Sequence, residues 1–444
     1  LTISAIHGSY STSSHTPRSL LVALHSHITA LTATNPHIFA HLFPLSHILS
    51  RVDSLLQSHP HGPTSQTPLW GIPFVVKDNF DIAGVPTIVS CHPITYTPTT
   101  SSPAYHALIT AGAICIGKAT MDQLATGLTG TRVPEGYPSC VYGPHGRGAY
   151  VPGGSSSGSA VAVGMGLVPF ALGTDTAGSG RVPAGFNGCF VFKARPGVGM
   201  EGVFPACKSL DSLAIFGARD GGVRGLSMVW DVIQGAVVGK GEDVPRSVNP
   251  LVGGNMAKKG SGVKFTTPPL AELKKICSPQ YFHCFSKLIS HLQSQSQQDP
   301  HLPQPAPPLS AAAWEKLTTA GKLVYSGAYL YERLTILPTH RPTEWLSELK
   351  PHFDPSVFTL LSSAAQNSLQ YTPEQIFRDL HFVVGVTQWA RKVVFEDGEV
   401  MVLLPSAPGH PKVLEVEGNP VEVGEWLGSL MGWANVLGCE AVGL

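Results

Sequence analysis

The chain has 444 residues, 29 basic and 29 acidic side chains, no formal net charge and only 13% charged residues against 43% hydrophobic ones. That length is ample for a large core. The charge balance, without a dense basic run, gives no reason to expect nucleic acid or an anionic membrane surface as partner. The 19 histidines are scattered and never fall into a His-Glu-x-x-His pattern, so no metal site is expected, and no glycine-rich stretch ends in Gly-Lys-Ser or Gly-Lys-Thr, so no nucleotide cofactor is expected.

In chain order, Thr16-Pro17 is an N-cap with proline at the first helical position, and Leu20, Leu21, Leu24, Ile28 and Leu31 then repeat at helical spacing. A second helix is predicted over about Ala40 to Gln57. A polar loop at His59 to Thr67 leads into a strand, Gly71-Ile-Pro-Phe-Val-Val-Lys-Asp-Asn79, that ends on Lys77. Ala104 to Ala111 reads as helix, Ala113 to Gly117 as a buried strand, and Met121 to Thr126 as helical. Alternation of this kind predicts an α/β sheet with helices on its faces.

Two glycine-rich segments follow, Gly153-Gly-Ser-Ser-Ser-Gly-Ser-Ala160 and Leu172-Gly-Thr-Asp-Thr-Ala-Gly-Ser-Gly-Arg-Val-Pro-Ala184. Between them the residues are small and apolar, which predicts a tightly packed helix before a strand at Phe170, with the two serine loops at the helix ends. Such loops expose backbone N–H groups beside hydroxyls, as attack on an amide carbonyl requires. Lys77, at the end of an apolar run, is costly to bury as an ammonium, so burial turns it into a candidate base. Gly154-Ser-Ser-Ser-Gly158 also fits a nucleophile elbow centred on Ser156, but the preceding residues make a poor strand. Residues 292 to 309 are polar and proline-rich and are expected to form an exposed loop. The eight cysteines are far apart and mostly among apolar neighbours, which suits reduced thiols and a cytoplasmic location. No signal peptide or membrane-length apolar run is seen, and the absence of an initial methionine suggests that the true N-terminus is missing.

Lys77, the Gly-Gly-Ser-Ser run and the Gly-Thr-Asp loop, with Ser155 and Ser179 separated by 24 positions, together resemble the amidase signature family. The resemblance implies one large domain over residues 1–444, a mixed central β-sheet covered by helices on both faces. Within it, residues 1–60 would be N-terminal helices, 70–235 the signature core, 290–310 the exposed loop, and 311–444 substrate-side helices and final sheet elements. By resemblance, Ser179 is the nucleophile, Ser155 the serine that relays its proton to Lys77 and follows a cis peptide bond, and the N–H groups of Thr176, Ala177, Gly178 and Ser179 form the oxyanion hole. Chemistry alone does not rank Ser155, Ser156 and Ser157. Asp175 and Arg181 are expected to fix the loop.

Several stretches further resemble the allophanate hydrolase branch: Gly127-Leu-Thr-Gly-Thr-Arg132, Ala177 to Pro183, Val203 to Asp211 and Leu403 to Pro411. So does Tyr325-Ser-Gly-Ala-Tyr-Leu-Tyr-Glu-Arg333, in which a tyrosine and an arginine eight positions on hold the substrate, near one face of a helix. This implies release of ammonia from the terminal amide of allophanate, a small anion, in urea degradation. A homodimer and functional coupling to a urea carboxylase stay open as partnerships. The alternatives are an amidase of another small amide, the amide-cleaving part of a glutamine amidotransferase, and a non-catalytic interaction protein.

Overall fold

The computed structural model of the chain describes residues 1–143, 149–237, 262–368 and 370–443. Ten strands occur among them: β1 (Phe39–Leu42), β2 (Pro73–Lys77), β3 (Ile114–Ala119), β4 (Phe170–Asp175), β5 (Phe190–Lys193), β6 (Ser212–Gly217), β7 (Lys264–Thr266), β8 (Gln304–Pro305), β9 (Val400–Val402) and β10 (Ala441–Gly443). Seven of them form the central sheet, in the order β1-β3-β2-β4-β6-β5-β10. β2 runs parallel to both β3 and β4, and the outer pairings are antiparallel, so the sheet is mixed as expected. Every residue of β2, β3, β4 and β6 is buried, as the continuous apolar runs of strands covered on both faces require.

The Pro17–Leu31 helix starts as read, with the Thr16 hydroxyl accepting the Ser19 N–H and Pro17 in the first turn. The second predicted helix is instead two elements. Phe39 to Leu42 pairs with β3 at the sheet edge, and the helix begins only at Leu45, because Pro44 disfavours helical backbone in the residue before it. Met121 to Thr126 holds only a 3₁₀ turn at Gln123–Ala125, with Leu124 at φ 53°. Long-range bonds override the local pattern there: the Gln123 N–H donates to Arg132 O and the Leu124 N–H to Val89 O.

The small-residue helix runs from Ser157 to Gly164 and is buried almost throughout. Gly158 allows it to touch its neighbours, since a Cβ there would stand 2.4 Å from the Ile38 carbonyl oxygen. Its N-terminal end carries the Ser155 loop, but its other end passes through residues 165–169 into β4. The Ser179 loop therefore follows a strand, and the expectation that both loops sit at the helix ends is corrected.

The stretch expected to be an exposed loop is only partly that. The Pro279–Gln298 helix continues into it, anchored by the Ser296 hydroxyl, which donates to Leu292 O and Pro303 O, and Gln304–Pro305 pairs parallel with β7. Serine and glutamine late in a helix that packs one face against the protein left too weak an apolar period to read.

One apolar cluster surrounds the central sheet, drawing on Phe74, Phe170 and Phe216. A second joins Ala177, Val182 and Phe186 of the serine region to Trp314, Val386 and Trp433. The C-terminal helices thus pack directly behind the Ser179 loop.

Candidate active site

The parallel register of β2 and β4 pairs Val76 with Leu172, which sets Lys77 beside the end of β4. Lys77 is fully buried, and its Nζ donates to Ser155 Oγ at 2.7 Å and to Thr174 Oγ1 at 2.8 Å. Burial pushes its ammonium down to about 7, against the raising pull of the Asp122, Asp211 and Asp175 carboxylates. Thr174 was not singled out from the sequence. Only the strand pairing shows that its hydroxyl faces the lysine.

The Gly154–Ser155 peptide is cis. Ser179 is held in the same cluster, its carbonyl accepting the Ser156 N–H at 3.2 Å. Its hydroxyl is engaged elsewhere than with Ser155: Ser179 Oγ donates to Thr174 O at 3.1 Å and accepts the Thr176 N–H at 3.2 Å. Ser156 is locked, donating to Thr174 O and accepting the Thr174 N–H, and Tyr150 makes only an isolated bridge to Lys412. Residues 144–148 lie outside the described residues, while 149–153 contain no strand, so the nucleophile-elbow geometry is not met there.

The expected oxyanion loop divides. The Gly178 N–H donates to Asp175 Oδ1 at 2.8 Å and is engaged, whereas the Ala177 and Ser179 amides, among the described residues, have no hydrogen-bond acceptor. Asp175 also accepts the N–H groups of Gly180 and Arg181 and two hydrogen bonds from the Arg181 guanidinium. Burial alone would push its carboxyl up, but Arg181 more than offsets this and holds it far below the usual carboxylate range. On the other side of the loop, Thr176 Oγ1 donates to Asp211 at 2.6 Å.

Asn435 is a residue that sequence reasoning missed. Its Oδ1 accepts from Arg181 at 2.7 Å, and its Nδ2 donates to Asp175 O and Leu210 O. Nothing in the local pattern signals this, because the partners lie more than two hundred positions away. Asn435→Ala removes three buried hydrogen bonds, one of them to a guanidinium, so a loss of about 3 kcal/mol is expected, read as a lower thermal midpoint.

Tyr325 and Arg333 come together as expected, the guanidinium carbon lying 5.2 Å from the Tyr325 ring centroid. They do not share one helix. The Ala311–Ser326 helix breaks at Gly327, a second helix runs over Ala328–Glu332, and Arg333 opens a 3₁₀ turn. Arg333 is 1% exposed, donates through Nη1 to Thr126 Oγ1 at 3.3 Å, and keeps Nε without a partner. A buried guanidinium with a free N–H invites an anionic acceptor.

Among the described residues no group of three or more His, Cys, Asp or Glu is placed to hold a metal ion, and no helix is long and apolar enough to cross a membrane. The amidase family profile matches residues 29–298, spanning β2, both serine loops and the strands that carry them. The chain belongs to the amidase family. As an amidase it is a hydrolase acting on amide C–N bonds. It is 31% identical to the urea amidolyase of Saccharomyces cerevisiae over 381 residues, covering 84% of this chain and 19% of that enzyme. The chain thus spans about a fifth of that relative's length. The allophanate hydrolase structure from Kluyveromyces lactis superposes with a TM-score of 0.76 at 27% identity, covering all of this amidase and 66% of that chain. A glutamyl-tRNA(Gln) amidotransferase protein of Mycoplasma pneumoniae is 40% identical, but over 154 residues, 34% of this chain and 31% of the relative.

Proposed function

We propose that this amidase cleaves the terminal amide of allophanate, releasing ammonia, as a step of urea degradation. The observation that carries the reading is the buried Arg333 guanidinium, stacked on Tyr325 with an unpartnered N–H, joined through Thr126 to the loop that abuts Ser155. Allophanate is N-carboxyurea, and its carboxylate suits that guanidinium while its other end presents an amide. The similarity to urea amidolyase and to allophanate hydrolase runs through most or all of the chain, whereas that to the amidotransferase protein covers about a third of it.

In this reading Lys77 is neutral and accepts a proton from Ser155, which takes one from Ser179. Ser179 Oγ leaves Thr174 O, turns toward Ser155 and attacks the amide carbon. The N–H groups of Ala177 and Ser179 receive the oxyanion, while Thr176 and Gly178 shape the loop. The proton returns through Ser155 to the leaving nitrogen, ammonia departs, and water hydrolyses the acyl-enzyme by the reverse relay. The product is N-carboxycarbamate, which can lose carbon dioxide to give carbamate. Residues 1–444 act as one amidase domain in this proposal. Coupling to a urea carboxylase belongs to it as well, by analogy with urea amidolyase, and a homodimer is kept as part of the proposal.

The test is ammonia release from allophanate, corrected for its spontaneous decay, with urea, glutamine and a simple neutral amide in parallel. Selective release from allophanate is expected. Turnover of the neutral amide alone would discard the substrate and keep the chemistry. Arg333→Gln is expected to raise KM for allophanate about 10- to 100-fold, the worth of one charge-assisted contact, with little change for the neutral amide.

A further inference from the structure

We infer that Asp122, which has no part in the proposed chemistry, is a positioning residue: it closes the 122–132 loop and holds the Ser155 backbone, joining the Lys77–Ser155 pair to the Arg333 side of the site. The inference rests on Lys77, Ser155 and Ser179 acting as proposed. Asp122 is fully buried three residues beyond the end of β3. Its Oδ2 accepts the Gly130 N–H at 3.1 Å and its Oδ1 the Arg132 N–H at 2.9 Å, so the carboxylate closes the loop upon itself. Its own N–H donates to Ser155 O at 3.0 Å. The two segments are then laced together by Gly153 N–H to Thr129 O and Gly154 N–H to Leu128 O, both 2.9 Å.

The fit leaves no slack. A Cβ on Gly154 would fall 2.0 Å from Asp122 Oδ2, and one on Gly127 2.4 Å from the same atom. Both glycines are therefore required by the carboxylate. Further along the same loop, Thr126 accepts the Arg333 hydrogen bond through its hydroxyl and that of Arg132 Nη1 through its carbonyl. One carboxylate thus organises a loop that touches the relay serine at one side and the guanidinium at the other.

Asp122 also acts on Lys77 by charge. Lys77 faces the hydroxyls of Ser155 and Thr174 and feels the carboxylates of Asp122, Asp211 and Asp175 in that order. Asp175 is neutralised by Arg181, and Asp211 receives the Thr176 hydroxyl, two backbone N–H groups and the field of Arg333. Asp122 itself faces Arg132, the Gly130 and Arg132 amides, and the more distant Asp354. Burial raises its carboxyl to about 6, still below the value of about 7 at Lys77, so it is mostly ionised at the midpoint of the lysine's change of charge.

The experiment is the pH dependence of Ser179 sulfonylation by phenylmethanesulfonyl fluoride, in which the serine oxygen bonds sulfur and fluoride leaves. Counting modified protein by mass excludes any unfolded fraction and does not depend on the natural substrate. Asp122→Asn and the smaller Asp122→Ser both remove the charge. In both, the pH of half-maximal labelling is expected to fall by about one unit, because Lys77 loses a neighbouring anion. The main-chain bond from residue 122 to Ser155 O survives in both variants, but the loop that the carboxylate closes, and that is laced to Gly153 and Gly154, is less well held, so the plateau rate is expected to fall about tenfold. A half-point equal to wild type in either folded variant overturns the inference, whatever the plateau. Failure of the wild type to label at Ser179 would instead overturn the nucleophile assignment, and this inference with it.

Discussion

Ser179→Ala is expected to lower amide hydrolysis by about 10⁴-fold or more while the protein stays folded, since removing the nucleophile of the proposed acyl-enzyme pathway leaves only binding and oxyanion stabilisation. The hydroxyl makes two hydrogen bonds, one donated to Thr174 O and one accepted from the Thr176 N–H. Its loss therefore costs only about 1–2 kcal/mol of stability, and a thermal midpoint close to wild type separates chemistry from folding. Ammonia release and the midpoint are measured on the same preparation. Activity within tenfold of wild type would move the nucleophile elsewhere, and Ser155 would then be the first residue to replace.

Lys77→Met tests the base, and it is expected to lose about 10³-fold in kcat/KM, within the range for a positioned general base. The sign of the pH dependence is definite. With burial holding the lysine at about 7, it is charged and inactive as a base below that pH and neutral above it. The wild-type rate should rise through about 7 to a plateau, and the variant's residual rate should lack this limb. Methionine fills similar space without a buried charge, so the fold should not be weakened. A variant that keeps the wild-type limb would assign it to another group.

The catalytic candidates were legible because glycine loops and short side chains at fixed spacing leave a strong local pattern, and Lys77 ends an apolar run where a charge is anomalous. Their bonding was not. Thr174 faces Lys77 only through the β2–β4 register, Asn435 reaches Asp175 across 260 positions, and Asp122 acts through the backbone of a loop. The eight-residue spacing brought Tyr325 and Arg333 together, but through a broken helix, since spacing does not show that the chain bends at Gly327. The sheet's alternation was readable, while the edge strand β1 was taken for helix because four residues carry too few periods to tell the two apart.

The bonds from Asn435 to Asp175 and Arg181 also bear on how the enzyme comes into being. During synthesis the lysine and both serines leave the ribosome early, and they remain an unfinished device until residue 435 has emerged and docked. Nascent chains, and chains cut short before that point, thus hold Lys77, Ser155 and Ser179 yet lack the hydrogen bonds by which Asn435 ties the Ser179 loop to the C-terminal helices, so the proposed hydrolysis is expected only from protein whose translation has passed it.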